Sequence, residues 1–226
     1  EAIEYVLRDL RHPDGGFFSA EDADSEGAEG TFYVWTPDEV REACAGLPDD
    51  EVTAALDWYG VTAAGNFEGA NILHRPLRGG LERPEAIERA RLALFARREQ
   101  RVRPGLDDKV LTEWNGLMLA TLSEAAMALG REDWLDAARA NGDFLARNLR
   151  RDDGRWLRSW QADAGAHTLG FAADHAAMVD GLTRLGEASG EARWTELAAS
   201  TADVLLDRFL DDERGGFHAT GHDAEG

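Results

Sequence analysis

The sequence lacks the features that mark secreted and membrane-spanning proteins. It has a single cysteine, Cys44, which excludes an internal disulfide framework, fits a reducing compartment, and is typical of a small buried hydrophobe. No apolar run approaches the roughly 20 residues that span a bilayer, and the first residues do not form a signal peptide. We therefore expect a cytoplasmic protein with no membrane partner.

Basic residues are scarce compared with acidic ones. The chain has 24 Lys and Arg against 44 Asp and Glu, which gives a formal net charge of -20. A surface of this sign repels nucleic acid and anionic membranes, so neither is an expected partner, whereas cations and neutral solutes are not excluded. With 226 residues, 43% of them hydrophobic, the chain is long and apolar enough to form a globular core.

A repeat of about sixty residues is visible when the sequence is aligned with itself. An offset of sixty superimposes two segments, and an offset of two hundred superimposes two more. The matching residues are Met118, Leu122, Gly130, Trp134, Ala138 and Leu145 with Met178, Leu182, Gly190, Trp194, Ala198 and Leu205, and Arg8, Leu10, Gly15, Gly16 and Phe17 with Arg208, Leu210, Gly215, Gly216 and Phe217. The same unit therefore occurs three times.

Each unit reads as two amphipathic helices joined by a tight turn and followed by an extended tip, because apolar residues recur at spacings of three and four. Gly130 and Gly190 are expected to end the first helices in the left-handed conformation. Small residues crowd the first helices, which predicts an inner ring of closely packed helices inside an outer ring. We therefore predict an all-α fold, an incomplete arc of an α/α toroid.

The predicted toroid portion divides into four segments. Residues 1–30 are the end of a hairpin plus an acidic loop, residues 31–106 are a modified hairpin with an insertion, and 107–166 and 167–226 are hairpins. The modified hairpin has helix starts at a Thr36 capping box, near Pro48 and at Pro84. Since the chain begins inside a hairpin and stops after a tip, at residues 221–226, we expect a fragment whose neighbouring hairpins are missing.

An acidic segment, residues 19–30, is the first candidate site. Its carboxylates, Glu21, Asp22 and Asp24 among them, repel one another unless they bind a cation, accept hydrogen bonds from a polyol or cap backbone amides; a solvated loop is the alternative. An EF-hand is excluded, because Tyr33 stands where the bidentate Glu belongs. We predict Glu21, Asp22 and Asp24 as substrate-binding residues and no metal site.

The second candidate site contains the only lysine of the chain. Lys109 follows Asp107 and Asp108, and its ammonium is suited to orienting carboxylates or binding a sugar hydroxyl. The alternative is that a single lysine remains at this position by chance. Trp114 and Asn115 begin an inner helix, where a ring beside an amide is suited to binding a pyranose; core packing of Trp114 is the alternative. Lys109, Trp114 and Asn115 are predicted to bind substrate, and Asp107 and Asp108 to be catalytic.

Asp174 and His175 form the third candidate site. They align with Trp114 and Asn115 at the sixty-residue offset, so the four residues are expected to face one cavity at the ends of the inner helices. Asp174 and His175 are predicted to be catalytic, His175 as a proton carrier, although a lone histidine on a helix is more often structural. His218 and His222 lack a third ligand, so zinc is not expected.

Several long motifs resemble the YyaL / spermatogenesis-associated protein 20 family. They are residues 15–27, 32–36, 59–62, 65–69, 71–73, 107–109 and 114–118. The resemblance covers nearly the whole chain and implies the C-terminal α/α toroid of that family, which is similar to N-acylglucosamine 2-epimerases and six-hairpin glycosidases. Members also carry an N-terminal thioredoxin-like domain with its own cysteine motif. That domain is absent here and Cys44 does not replace it, so no redox role is expected of these residues.

Two functions from different classes follow. In the first, the toroid is a carbohydrate isomerase, epimerase or hydrolase that takes a carbohydrate-like ligand, uses the carboxylates as acid and base, and needs no cofactor. In the second, it is a binding or scaffolding module that presents ligands to the thioredoxin-like domain. Both require partners that the chain itself does not supply, namely the missing hairpins and the thioredoxin-like domain.

Overall fold

Helices provide most of the regular structure in the computed structural model, which describes residues 1–77, 79–80 and 82–224. The helices are α1 (Ala2–Asp9), α2 (Pro37–Ala43), α3 (Asp49–Trp58), α4 (Glu85–Arg98), α5 (Thr112–Leu129), α6 (Glu132–Asn148), α7 (Ala172–Ser189) and α8 (Ala192–Phe209). The strands are β1 (Ala20–Glu21), β2 (Asp24–Ser25), β3 (Ala28–Glu29), β4 (Leu106–Asp107), β5 (Val110–Leu111), β6 (Leu157–Gln161) and β7 (Gly165–Leu169). No helix formed by the described residues is both long and apolar enough to cross a membrane.

The chain separates into two compact units. The first contains residues 1–20 and the chain from residue 106 onward, and the second contains residues 21–105. The last two residues of the predicted hairpin 167–226, and residues 78 and 81 of the predicted modified hairpin, lie outside the described residues. The four-segment division therefore stays a prediction, and each compact unit is described by itself.

Two helical hairpins form the centre of the first unit. α5 and α6 are joined at Gly130, and α7 and α8 are joined at Gly190, with φ of 63° and 71° respectively. Only glycine takes this left-handed conformation without strain, which explains why both turns place glycine there. The helical hairpins of the α/α toroid class predicted from the sequence are confirmed.

The first helices of the two hairpins pack closely because small residues face each other. A Cβ added to Gly116 of α5 would lie 2.7 Å from the backbone of Ala177, and one added to Gly181 of α7 would lie 2.5 Å from the carbonyl oxygen of Gly116. Trp134 and Trp194, which are equivalent in the repeat, are both buried in the core of this unit. The predicted close approach of the inner helices is thus present between α5 and α7.

A three-stranded antiparallel sheet lies across the amino ends of α5 and α7. Strand β6 pairs with β5 on one side and β7 on the other, with Leu111 opposite Ser159 and Ser159 opposite His167. Trp160 of β6 packs edge-on against Phe144, at 5.0 Å between ring centroids. This packing fixes the position of β6, and β6 in turn places polar side chains at the amino ends of α5 and α7.

Each outer helix is followed by a tip, here defined as a turn closed by one antiparallel bridge. The first tip follows α1, the second follows α6 and the third follows α8. The bridges join Arg11 to Phe17, Arg150 to Trp156 and Leu210 to Phe217, and the turns are closed by hydrogen bonds from His12 N to Gly16 O (2.8 Å), Arg151 N to Arg155 O (2.9 Å) and Asp211 N to Gly216 O (3.0 Å). The three tips therefore share a bridge and a closing hydrogen bond, and the third turn is one residue longer than the other two.

Helices α2, α3 and α4 belong to the second unit. The predicted capping box begins α2: Glu39 N donates to Thr36 Oγ1 at 3.2 Å, and Thr36 N donates to the Glu39 carboxylate at 2.7 Å. Buried Asn71 donates to the carbonyl oxygens of Trp35 and Thr62, which ties the irregular segment after α3 to the strand-like segment before α2. The expected helix starts at residues 36, 48 and 84 are confirmed.

Candidate functional site

Asn115, predicted to bind substrate, is buried at the start of α5 and contacts the first tip. Its Oδ1 accepts from Phe17 N at 2.8 Å and from Asn141 Nδ2 at 3.0 Å, while its Nδ2 donates to Phe17 O and Leu111 O, both at 2.9 Å. Only 1% of the residue is exposed. In the described structure, therefore, the Asn115 amide fixes the first tip against α5.

His175 makes the corresponding contact between α7 and the second tip. Its Nδ1 lies 2.9 Å from Phe171 O, and its Nε2 accepts from Trp156 N at 3.3 Å. The ring is fully buried, and this burial, with the nearby Arg155 guanidinium, lowers the pKa of the His175 imidazole. Since both ring nitrogens have backbone partners, the geometry assigns His175 a positioning role, and its predicted catalytic role stays a prediction.

Asp174 is also buried, and its carboxylate joins α5, α7 and β6. Oδ1 accepts from Glu113 N at 3.0 Å, Oδ2 accepts from Phe171 N at 2.7 Å, and Arg158 Nη1 lies 3.0 Å from both oxygens. Two backbone donors and a guanidinium compensate for the loss of water around this charge. The predicted catalytic role of Asp174 is untested; its contacts are those of a helix-capping and strand-anchoring group.

Asp107, Asp108 and Lys109 lie just before α5, and all three are partly exposed. The Lys109 ammonium lies 2.9 Å from Asp107 Oδ2, and this hydrogen bond holds the pKa of the Asp107 carboxyl below its usual range. Gln161 Nε2 of β6 donates to Asp108 Oδ1 at 2.8 Å. The lysine therefore orients a carboxylate, as its sequence position predicted, and the roles in substrate binding and catalysis stay predictions.

An ion pair lies against an exposed aromatic ring at the same end of the helices. Arg158 Nη1 lies 3.1 Å from Glu113 Oε2, and its guanidinium stacks over the Phe171 ring at 4.9 Å. Trp114, which follows Glu113, is 50% exposed, although core packing was its alternative role. We call Asp108, Glu113, Trp114, Arg158 and Phe171 the amino-end surface. Its members supply acceptors, donors and apolar rings, the kinds of group that line small-molecule sites.

The carboxylates of the acidic segment belong to the second unit, and local contacts hold them in place. The Glu21 carboxylate accepts from Tyr33 OH at 2.9 Å and from Arg103 Nη1 at 3.1 Å, and Asp22 Oδ1 accepts from Asp24 N at 3.4 Å. Backbone pairing of β2 with β3 also orders the segment. Among the residues that the structure describes, no group of three or more His, Cys, Asp or Glu side chains is arranged to hold a metal ion.

Arg158, Glu113 and Phe171 are the members of the amino-end surface that the sequence analysis did not identify. No spacing relates Arg158 to Asp174, because their contact depends on the path of β6 across the helix ends. The one usable signal was Glu113 itself, an acidic residue in the first turn beside Trp114. The acidic segment, which attracted attention by composition, is in a different unit.

The fold and the site define the class of this chain: repeated α/α hairpins that carry a mixed polar and aromatic surface at the amino ends of the inner helices. No family model matches the chain. Over 95% of its length the chain is similar to human spermatogenesis-associated protein 20, with 33% identity over 260 aligned positions, which confirms the resemblance found in the sequence. The alignment covers 32% of the human protein, so the chain spans about a third of the length of the curated relatives it matches.

Two solved structures are similar to part of the chain. Cellobiose 2-epimerase from Spirochaeta thermophila has a TM-score of 0.46 at 24% identity, covering 49% of this chain and 28% of its own. Cellobiose 2-epimerase from Bacillus thermoamylovorans has a TM-score of 0.46 at 10% identity, covering 94% of this chain and 56% of its own. Both TM-scores are low, and the similarity is partial.

Proposed function

We propose that this chain is the helical-hairpin portion of a protein that binds a neutral carbohydrate at the amino-end surface and isomerises, epimerises or hydrolyses it. The observation that carries the proposal is the exposed ring of Trp114, the residue that follows Glu113 of the Glu113–Arg158 ion pair. An exposed indole is a flat apolar face with one donor, and the adjacent charged groups supply the acceptors and donors that sugar hydroxyls require. The net charge of -20 favours a neutral ligand over an anionic one.

Within this proposal, the carboxylates have two kinds of role. Asp108 and Asp107 are partly exposed and serve as the groups that exchange protons with the ligand. Asp174 and His175 are buried and act through their neighbours, Asp174 by orienting Arg158 and His175 by fixing the second tip. Lys109 holds Asp107 as a carboxylate. Asn115 binds the first tip to the first turn of α5, the turn that also carries Trp114.

A second function, binding without turnover, is favoured by a different observation. Asp174 and His175 were both predicted to be catalytic. Their polar side-chain atoms already make hydrogen bonds with backbone groups of this chain. In this alternative the amino-end surface presents a ligand or a protein segment to the thioredoxin-like domain that the family resemblance implies. The ligand surface is the same, and the two functions differ only in whether Asp107 and Asp108 exchange protons with the ligand.

Binding is tested by titrating the full-length protein with a panel of neutral mono- and disaccharides and measuring heat and line broadening of the sugar signals. Trp114→Ala is expected to weaken the best ligand by at least about tenfold, which is about 1.4 kcal/mol. The matched control is Met127→Ala, which removes a somewhat more exposed apolar side chain from the far end of α5. If no sugar binds, or if both variants bind as the parent does, the proposal is wrong.

Turnover is tested on the best ligand by following the anomeric and C2 proton signals and the release of monosaccharide. Asp108→Asn keeps an acceptor for Gln161 but cannot take up a proton. Loss of turnover with binding retained supports the enzyme, whereas binding without turnover in the parent protein supports the binding module. A cytoplasmic location is also part of the proposal; it is supported by Cys44, a buried free thiol, and is tested by fractionation.

A further inference from the structure

The third tip has the same kind of bridge and closing hydrogen bond as the first two, but its surroundings differ. The aromatic residue of the first tip, Phe17, is 3% exposed, and that of the second, Trp156, is 0% exposed. The aromatic residue of the third tip, Phe217, is 51% exposed. All three tips have the same kind of bridge and closing hydrogen bond, and the turn of the third is one residue longer than the other two.

One side of the third tip is already occupied. The segment after the second tip contacts the first residue of α5, where Thr112 Oγ1 donates to Leu157 O. The segment after the third tip contacts the first residue of α7, where Ala172 N donates to Ala219 O at 2.9 Å. Thr112 and Ala172 are sixty residues apart, so the same helix position contacts a tip segment in both hairpins, through a side chain in α5 and through the backbone in α7.

The other side of each tip is where the third differs. Asn115 bonds to the backbone of Phe17, and His175 bonds to the backbone of Trp156. Each of these two residues is the fourth of its helix, and each also lies within hydrogen-bonding distance of the carbonyl oxygen of the residue before the helix. Within residues 1–77, 79–80 and 82–224, no group makes a hydrogen bond with the backbone of Phe217.

We propose that the Phe217 tip is the docking site for the first turn of an inner helix from a further hairpin of the same repeat, carried by the same polypeptide. The fourth residue of that helix is Asn or His, since these side chains can donate to the preceding carbonyl and accept from the Phe217 N–H. Docking covers the Phe217 ring and gives its backbone the partners that Phe17 and Trp156 have.

A second copy of the chain does not fit this role. Among the described helices, α5 and α7 are those with Asn or His at the fourth position, and both side chains are buried against tips of their own chain. The two existing helix–tip contacts are within one chain. Matched relatives are about three times as long as this chain, which leaves ample sequence for another hairpin.

The proposal is tested by placing the photo-crosslinker p-benzoylphenylalanine at position 217 of the full-length protein. We expect an internal crosslink, seen at the mass of one chain, to a peptide outside residues 1–226 that contains the first turn of a helix with Asn or His at its fourth residue. The control places the crosslinker at the exposed Leu206 of α8. A crosslinked dimer, a crosslink within residues 1–226, or a yield no higher than the control overturns the proposal.

Hydrogen exchange of the unmodified full-length protein provides a test that does not depend on the substitution. The Phe217 amide is expected to exchange at least about a hundredfold more slowly than an unstructured amide, in the range of the Phe17 and Trp156 amides. Free exchange at Phe217 beside protected Phe17 and Trp156 contradicts docking. Sugar binding at the amino-end surface is not needed for either result, so the outcome is separate from that of the proposed function.

Discussion

His175 makes the stability of the first unit dependent on pH. The contact with the second tip requires a neutral ring, because Nε2 must accept from Trp156 N while Nδ1 donates to Phe171 O. Burial is the main cause that holds the pKa of the His175 imidazole below its usual value, and the Arg155 guanidinium acts in the same direction. The hydrogen bond to the Phe171 carbonyl oxygen and, to a smaller extent, the Asp174 and Asp223 carboxylates raise this pKa and are outweighed.

The sign of the effect follows from proton uptake. Because the pKa of His175 is lower in the folded than in the unfolded protein, the unfolded state binds the extra proton first as the pH falls below about 6.5. The free energy of unfolding therefore decreases with falling pH in that window, by at most about 1.4 kcal/mol per pH unit. Between pH 6.5 and pH 5 the ceiling is about 2 kcal/mol, a large part of a typical domain stability.

The assay is urea unfolding followed by circular dichroism at pH 5, 6, 7 and 8 for the parent and for His175→Asn, which places the residue type of position 115 at the equivalent position. The variant is expected to be less stable at pH 7, because a smaller side chain leaves space beside Phe209. Its pH slope below 6.5 should be flatter than that of the parent by up to about 1.4 kcal/mol per unit. Equal slopes, or an imidazole that titrates above 6.5 by NMR, would refute the reasoning.

Three further predictions concern stability. Asn115→Leu should lower the free energy of unfolding by about 3 kcal/mol or more, because the Phe17 N–H and C=O lose their partner. The control Asn148→Leu removes one hydrogen bond to a carbonyl oxygen and should cost about 1 kcal/mol, and urea titrations that give the reverse order contradict this. Gly116→Ala should cost about 1–3 kcal/mol of stability, because the added methyl group clashes with α7. The control Gly46→Ala, where no atom lies within 4 Å of an added Cβ, should be near neutral, and equal melting temperatures of the two variants contradict this. Thr36→Ala should cost about 1 kcal/mol and speed hydrogen exchange in the first turn of α2, and unchanged exchange there contradicts the capping role.

The parts of the fold that the sequence predicted depend on local rules. The left-handed caps at Gly130 and Gly190, the capping box at Thr36 and the helix starts at prolines each follow from residues within one turn of the element they define. The pairing of Arg158 with Asp174 does not, because it depends on the register of β6 in a sheet. Side-chain contacts at the candidate site were therefore harder to predict than the helices that carry them.

The equivalence of Asn115 and His175 shows why a residue type alone is a weak guide to function in a repeat. An amide and an imidazole look chemically unlike, yet at the fourth helical position both bond to a tip and lie near the carbonyl oxygen before the helix. The residues at the third helical position, Trp114 and Asp174, share a repeat position but differ in their surroundings. Trp114 is half exposed, and Asp174 is fully buried. Since the fourth position is committed to the fold in both hairpins, variation at the third position is what distinguishes α5 from α7. A ligand that uses the exposed ring is thus expected to bind at α5, with α7 supporting it through Asp174 and Arg158.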